Sequence, residues 1–344
     1  QPIRLRVSGQ RLAGDSKADI EVASGECVHI MTGAVMPAGL DTVIAQELAT
    51  VHTSGDETIV EIPAGILQTG DNRRKAGEDL QRGLPALTVG NALTPAALGL
   101  VASLGIAKVK VYRQLRVAYF STGDEVLSLG DAMREGAVYD SNRYTVFGLL
   151  SRMGCEVIDM GVVRDDPVLL EQAFSKASET ADVIITSGGV SVGEADFTKA
   201  MMKKLGDVAF WKIAMRPGRP MAVGRLGNCI LFGLPGNPVA VMVTFLAFVK
   251  PALLQMMGGL PSSTPYLRAK SAVALRKKPG RTEYQRGFVR ALPDGTLQVD
   301  AAGNQGSGVL RSMVEANGLI VLHHHQSNVA AGDEVDVMIF EGAI

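Results

Sequence analysis

Between Leu115 and Gly258, short apolar runs alternate with helix-length stretches, and no other feature of the chain constrains its folding as strongly. The spacing predicts strands over Arg116 to Phe120, Glu156 to Val163, Val183 to Thr186, Ala209 to Ile213, Met221 to Gly224 and Cys229 to Phe232. It predicts helices over Tyr144 to Met153, Pro167 to Ser178, Asp196 to Leu205 and Val239 to Met257. Strands that alternate with helices of this length imply βαβ units around a mostly parallel sheet with flanking helices, an α/β core.

The flanks read differently. From Gln1 to about Gly90 the chain is rich in Gly, Thr and Val, with strands expected at Glu26 to Met31 and Thr58 to Ile62 and a turn at Gly55-Asp56, giving a β-rich N-terminal module. Thr94-Pro95 supplies an N-cap and first residue for a helix to Leu104, stopped by Gly105. After Gly258-Gly259-Leu260-Pro261 only strands are expected: Tyr266 to Leu275, Glu283 to Leu292, Leu297 to Asp300, Gly318 to Leu322 and Glu334 to Ile339. Five short strands separated by Gly, Pro and Asp turns suit a small β-barrel or sandwich. The expected modules are residues 1–90, a helical linker 91–113, the α/β domain 114–258 and a β domain 262–344.

With 47 % hydrophobic and 20 % charged residues over 344 positions, the chain is not intrinsically disordered. A net charge of −1 excludes a broadly cationic nucleic-acid or membrane-surface binder. The longest apolar run, Val239 to Val249, falls short of the roughly 20 residues of a membrane helix, and the first residues carry no signal-peptide pattern. Cys27, Cys155 and Cys229 are odd in number, lack metal-ligand spacing and read as reduced core residues. The expectation is a cytoplasmic protein with neither nucleic-acid nor membrane partners.

Ligands of open parallel sheets bind beyond the carboxyl ends of the strands. Three strands here run directly into polar, Gly-rich segments: Ser121-Thr122-Gly123-Asp124-Glu125, Ser187-Gly188-Gly189-Val190-Ser191 through Asp196, and Gly233-Leu234-Pro235-Gly236-Asn237-Pro238. All three are expected on one edge. The loop from Ser187 to Gly193, with three glycines and two serines before a helix, can bring backbone N–H groups to a phosphate or oxyanion; the plain alternative is a tight βα turn. It matches neither a Walker A loop nor GxGxxG.

Candidate carboxylates are Asp124, Glu125, Asp166 and Asp196, beside a loop where Mg²⁺ would find one or two carboxylates and substrate phosphates. Asp196 and the Asp165-Asp166-Pro167 run serve equally well as helix N-caps. Lys212, Arg216 and Arg219, held in a segment with Pro217, Gly218 and Pro220, are candidate anion ligands or a solvated turn. Arg73-Arg74-Lys75 through Asp79 could face a ligand across a domain boundary. His323-His324-His325 reads as strand residues whose alternation prevents a shared metal, and Arg276-Lys277-Lys278 through Arg281 as a solvated strand end. Neither Ser121 nor Ser191 has a histidine in its own segment for a triad.

Taken together, these segments resemble the MoeA family of molybdopterin molybdenumtransferases, to which the gephyrin E domain is related. The resemblance is carried by Ser121 through Glu125, Tyr139-Asp140-Ser141-Asn142, Arg164-Asp165-Asp166, Ser187 through Asp196, Arg216 through Pro220 and Gly233 through Pro238. Ile30 through Gly39 and Arg74 through Asp79 match upstream, and the match runs from about residue 20 to the end. It implies a molybdopterin-binding α/β domain, a C-terminal β-barrel and an elongated homodimer. The activity it implies is Mg²⁺-dependent insertion of molybdate into adenylylated molybdopterin with release of AMP. On the same ground Glu125, Asp165 or Asp166, Asp196 and Asp79 are expected catalytic residues, with Glu125 and Asp196 on the metal. Ser121, Thr122, Gly123, Asp124, Ser187, Gly188, Gly189, Ser191, Lys212, Arg216, Arg219, Pro235, Asn237, Pro238, Arg74 and Thr32 are expected to bind substrate, Arg74 and Asp79 from the facing subunit.

Two departures from the family pattern stand out. A Lys-Pro-Gly-Lys-Pro segment is expected where this chain has Arg216-Pro217-Gly218-Arg219-Pro220. The family's N-terminal helical segment, with its Asn-Ser-Ala-Met-Asp-Gly-Tyr-type motif and an acidic site residue, is expected before the first residue here. Partners implied are a molybdopterin adenylyltransferase upstream and molybdoenzyme-maturation proteins downstream. The alternatives are an adenylyltransferase-like enzyme sharing the middle domain, or a gephyrin-like scaffold that binds partner peptides.

Overall fold

The computed structural model describes residues 1–15, 20–190, 197–260 and 265–340. The chain divides into two compact units, Gln1–Ala86 and Leu87–Ile344.

The first unit is a four-stranded sheet in the order β2-β1-β4-β3, built from β1 (Ile3–Arg11), β2 (Glu26–Ile30), β3 (Thr50–Ser54) and β4 (Glu57–Ile62). Two of these strands were expected; β1 and β3 were not. Strand β1 lies between a parallel neighbour, β2, and an antiparallel one, β4. The β3–β4 hairpin turns at Gly55, whose φ of 58° is a left-handed value that glycine adopts without strain. Strand β3 is exposed along its whole length and the other three are mostly half-buried or exposed, and this unit contributes no side chain to the main hydrophobic clusters among the described residues.

The second unit opens with α1 (Pro95–Ser103), where the Thr94 hydroxyl accepts from Ala97 N at 3.3 Å and Gly105, at φ 72°, ends the run. The central sheet follows, with β5 (Arg116–Thr122), β8 (Glu156–Val163), β9 (Val183–Ser187), β10 (Asp207–Lys212), β12 (Pro220–Leu226) and β13 (Cys229–Leu234) in the order β10-β12-β13-β9-β5-β8. The β13-β9-β5-β8 pairings are parallel; β12 is antiparallel to both β13 and β10. Two short strands, β6 (Val126–Leu127) and β7 (Val138–Tyr139), pair beside it.

Helices cover both faces, which is why the inner strands are apolar throughout. Val117, Tyr119, Val183 and Ile185 pack under α2 (Ser141–Arg152), α5 (Pro238–Thr244) and α6 (Lys250–Met256). The intervening Ala118, Phe120 and Ile184 meet Leu170, Phe174 and Ala177 of α3 (Pro167–Thr180) and Met201 and Met202 of α4 (Phe197–Leu205). Phe120 and Phe174 meet edge to face at 5.1 Å.

Helices α5 and α6 are joined through a π-helical turn at Phe245–Val249, so the helix runs unbroken from Pro238 to Met256. Pro251 has no N–H to donate and its ring crowds the preceding turn, and the π turn accommodates both within the helix. The apolar run therefore does not stop at Val249 in structural terms. Its 19 residues, of mean hydropathy 1.8, are long and apolar enough to cross a membrane by length and composition alone. Val239, Val241, Val243, Phe245, Val249 and Leu253 are nevertheless core residues under the sheet.

The C-terminal strands β14 (Leu267–Ser271), β15 (Thr282–Ala291), β16 (Leu297–Ala301), β17 (Gly318–Leu322) and β18 (Glu334–Ile339) close in the ring β15-β16-β14-β18-β17-β15, a five-stranded barrel. Ala269, Val289, Val299, Ile320, Val335 and Val337 fill it. Gly287 is required on the inner face, because a Cβ there would meet Ile320 and Val299 at 2.8 Å. The outer face carries Leu319, Val321 and Met338 into the same cluster as α5 and α6, which docks the barrel on the central domain. A short strand, β11 (Met215–Arg216), leaves the central domain to pair with β15, placing Arg216 opposite Glu283. A short helix, α7 (Arg311–Glu315), packs nearby.

One expectation fails in this domain and another holds only in part. Strand β17 ends at Leu322, so His323 to His325 form an exposed turn rather than strand residues. There, His323 Nε2 lies 2.6 Å from an Asp336 carboxylate oxygen. The segment from Arg276 to Arg281 is solvated only in part: Arg276 and Lys278 are exposed, Lys277 is not. The Lys277 ammonium is buried, donating to the Lys278 carbonyl at 2.7 Å and the Gln326 carbonyl at 3.4 Å. Arg281 pairs with the buried Glu283 at 2.8 Å.

Candidate functional site

Parallel pairing brings the carboxyl ends of β5, β9 and β13 to one edge, with Ser121 opposite Ser187 and Ser187 opposite Leu234. Because β12 is antiparallel to β13, the segment entering it, Arg216 to Pro220, reaches that edge too. A cavity of about 870 Å³ lies between this edge and the barrel, the size that small-molecule and cofactor sites occupy.

Of the residues expected from sequence, Ser121, Thr122, Gly123, Glu125, Asp165, Ser187, Gly188, Gly189, Arg216, Pro235, Asn237 and Pro238 line the cavity. Asp124, Asp166, Lys212 and Arg219 do not. Ser191 and Asp196 lie outside the described residues. Thr32, Arg74 and Asp79 belong to the first unit, where Arg74 faces Glu78 at 3.8 Å.

The floor of the cavity is a cluster of hydroxyls. Tyr119 Oη lies 2.9 Å from Ser121 Oγ and 2.7 Å from Ser187 Oγ, and the two serines are 3.1 Å apart. Burial pushes the Tyr119 phenol far above its usual range, so it remains a neutral hydrogen-bonding group. Above it the chain turns through Gly188 at φ 91° and Gly189 at φ 64°. A Cβ on Gly188 would stand 2.4 Å from the Thr122 carbonyl oxygen, and one on Gly189 2.3 Å from Thr198 Cβ. Glycine lets the loop lie directly on the end of β5 at Gly188 and against α4 at Gly189.

The carboxylates divide by role. Asp166 caps α3, its Oδ1 accepting from Val168 N at 2.9 Å and Leu169 N at 3.0 Å, while its neighbour Asp165 lies on the cavity wall. Asp124 turns away and accepts from Asp165 N at 3.3 Å, while its own carbonyl accepts from the Arg134 guanidinium. The Glu125 carboxylate lies so close over Gly123 that a Cβ there would be 2.7 Å from Oε2. Among the described residues no group of three or more His, Cys, Asp or Glu side chains could hold a metal. The carboxylates lining the cavity are Glu125, Asp140, Asp165 and Glu283, of which Asp140 caps α2 and Glu283 is held by Arg281.

Lys212 ends the sheet's edge strand β10 in an exposed position, and Arg219 lies exposed beyond Gly218; charge near the loop was not enough to bring either to the cavity. The cation beside Arg216 comes instead from the barrel. Arg286 is 1 % exposed and lines the cavity. Its guanidinium donates to Ser312 Oγ and to the carbonyls of Asn304 and Gly306, each at 3.0 Å. Among the described residues neither Arg286 nor Arg216 has a carboxylate partner. Burial, and then the nearby Arg216 charge, lower the Arg286 pKa. Two arginines lining one cavity, neither of them paired to a carboxylate among the described residues, can form a seat for an anion.

Further barrel residues, Arg276, Glu283, Tyr284, Gln285, Gln305 and Ser307, also line the cavity. Burial raises the Tyr284 phenol to about 12. The opposite wall is the start of α2, Tyr139 to Asn142, where Asn142 Nδ2 donates to the Gly236 carbonyl at 2.7 Å. Sequence reasoning passed over the barrel residues because Arg286 lies in a strand that alternates polar and apolar side chains, where arginine ordinarily faces solvent.

Family comparison decides what this cavity belongs to. Residues 4–105 match the model of the MoeA N-terminal region (domain I and II), 118–255 that of a probable molybdopterin binding domain, and 268–340 that of the MoeA C-terminal region (domain IV). The chain belongs to the MoeA family. Members of that family are transferases of molybdenum cofactor biosynthesis. The chain is 44 % identical over 341 residues to a molybdopterin molybdenumtransferase of Haemophilus influenzae, covering 99 % of this chain and 83 % of that one. It is 35 % identical to the Bacillus subtilis protein of the same name, covering 98 % and 78 %. A MoeA crystal structure from Pyrococcus horikoshii superposes with a TM-score of 0.77 at 27 % identity, covering 98 % and 81 %. In MoeA terms the cavity joins the molybdopterin-binding domain to domain IV.

Proposed function

We propose that this MoeA chain inserts molybdate into adenylylated molybdopterin and releases AMP. The observation that carries the reading is the Arg216–Arg286 pair: one arginine from the central domain and one from the barrel, both lining one cavity with no carboxylate partner among the described residues. A dianionic oxyanion is the chemistry such a pair accepts. The Gly188–Gly189 turn, with Ser121 and Ser187 beneath it, supplies polar contacts for a pyrophosphate. Placing both anions in one cavity aligns the reactants and offsets the charge that builds up between them.

Mg²⁺ fits the oxygen donors here, since Glu125 and Asp165 line the cavity and substrate phosphates complete the shell it prefers. When bound, it would neutralise pyrophosphate charge; Asp196, outside the described residues, is the further ligand expected from sequence. The homodimer, the upstream adenylyltransferase, the downstream maturation proteins and the part played by Arg74 and Asp79 rest on the family resemblance. An adenylyltransferase-like reading is less well supported, because part of the cavity is built by the barrel rather than by the shared middle domain.

The test supplies purified chain with adenylylated molybdopterin, Mg²⁺ and molybdate, and measures AMP release and molybdenum incorporation. Molybdate-dependent AMP release is expected, and Arg286→Met should lose its molybdate dependence. Release at the same rate without molybdate would refute the reading.

A further inference from the structure

Two buried acceptor oxygens in the cavity wall have no donor. Asp140 is 4 % exposed and lines the cavity. One of its carboxylate oxygens, Oδ1, caps α2 by accepting from Arg143 N at 3.0 Å, and its own N–H donates to the Leu127 carbonyl at 2.9 Å. Its Oδ2 has no hydrogen-bond partner. Asn142, two residues on, lines the same wall. The bond from its Nδ2 to the Gly236 carbonyl settles which way the amide faces, and that leaves Oδ1 buried and also without a partner. Buried acceptors are almost always paired, so two in one helical turn beside a cavity are an arrangement that a ligand completes.

The part of the cavity lined by Arg216 and Arg286 has the opposite character. Arg216 and Arg286 present donors, which suits the anionic part of a substrate but leaves the Asp140–Asn142 wall for a group rich in N–H. We propose that Asp140 Oδ2 and Asn142 Oδ1 form an acceptor edge for the N–H donors of an aminopyrimidine ring of the substrate. This rests on the reading that the cavity takes adenylylated molybdopterin, which carries two such rings. One is the pterin, with its 2-amino group and ring N–H, and the other is adenine, with its amine. A site built to accept these bonds discriminates strongly against a ring that offers oxygen at the same position, because acceptor would then face acceptor.

The experiment titrates the full chain with pterin and with lumazine, in which an oxo group replaces the 2-amine, and in parallel with AMP and with inosine 5′-monophosphate. The unchanged chain is expected to prefer the amino ligand of at least one pair by about tenfold or more. In Asp140→Asn, which can still cap α2 and should melt at the temperature of the unchanged chain, that preference should disappear. A preference confined to pterin assigns the edge to the pterin, and one confined to AMP assigns it to adenine; either result supports the proposal. Equal affinity within both pairs, or a preference that survives Asp140→Asn, overturns it and leaves the two oxygens to buried water. Molybdate-dependent AMP release by the unchanged chain, measured alongside, keeps the two readings apart. Release without any amino preference would defeat only the acceptor edge, whereas a preference without release would defeat only the transferase reading.

Discussion

Gln305 holds Arg286 by both of that residue's backbone polar groups: its Oε1 accepts from Arg286 N at 2.8 Å, and its Nε2 donates to the Arg286 carbonyl at 3.0 Å. The same Nε2 reaches the Ala302 carbonyl at 2.8 Å. One amide side chain therefore does for β15 what a neighbouring strand would do, and it fixes the strand where the buried guanidinium enters the cavity. Gln305→Leu should lower stability by about 1–3 kcal/mol through unpaired backbone groups. It should also weaken molybdate binding, since Arg286 loses its anchor; thermal melts and molybdate titrations of the same samples measure both effects.

The lowered pKa of Arg286 means that the fold disfavours its charged form, and a bound dianion offsets that penalty. Molybdate at about a hundred times its Kd should raise stability by about 2.7 kcal/mol. In Arg286→Met the thermal midpoint should not respond to molybdate. A scanning melt with and without the anion provides the check.

Asp165 and Asp166 are adjacent but serve different ends. Asp166→Ala removes an N-cap and should cost about 1 kcal/mol of stability with turnover preserved. Asp165→Asn changes the cavity wall and should lower kcat by about two orders of magnitude. Measuring AMP release and thermal midpoints on both variants separates the roles, and the reverse pattern would exchange them.

Gly188→Ala places a methyl 2.4 Å from the Thr122 carbonyl at a φ of 91°, and should destabilise the chain by about 1–3 kcal/mol. Gly236 borders the same cavity, but a Cβ there meets nothing within 4 Å and its φ is not positive. Gly236→Ala should change stability by less than about 0.5 kcal/mol. Urea melts of the pair test whether close approach, rather than glycine as such, is what the loop requires.

Asp182 accepts two bonds from the Arg113 guanidinium at 2.6 Å and one from Arg116 N at 2.8 Å, which hold its pKa at about 2. The folded value lies below the ordinary 3.8, so the stabilisation is present above about pH 4 and is lost as the pH falls toward 2. Asp182→Asn should lower the thermal midpoint at neutral pH and reduce its fall between about pH 4 and pH 2. Melts across that range give the comparison.

The alternation from Leu115 to Gly258 was enough to read the central domain, since periods of 2 and 3.6 are local properties of the chain. The strands β5, β8, β9 and β13 and the helix caps at Thr94 and Asp166 follow from such local rules. The strand β1 was missed because its apolar residues alternate with Arg4 and Arg6, and only pairing with β2 and β4 makes a sheet of it. The turn at His323 to His325 was misplaced because apolar residues led into it without a breaker.

By itself, then, the sequence determined which segments become strands and helices, that three Gly-rich strand ends share one edge, and which family those ends resemble. Tertiary structure decided which of the charged residues reach the cavity. Arg286 and Arg290 lie on the same outer face of β15 and are equivalent in the pattern, yet Arg290 stays near solvent with Asp300 while Arg286 is closed over by Ser312, Asn304 and Gly306. Strand parity chooses a face of the barrel. Only the folding of residues 304–312 back over that face makes one of the two arginines a buried cation in the cavity.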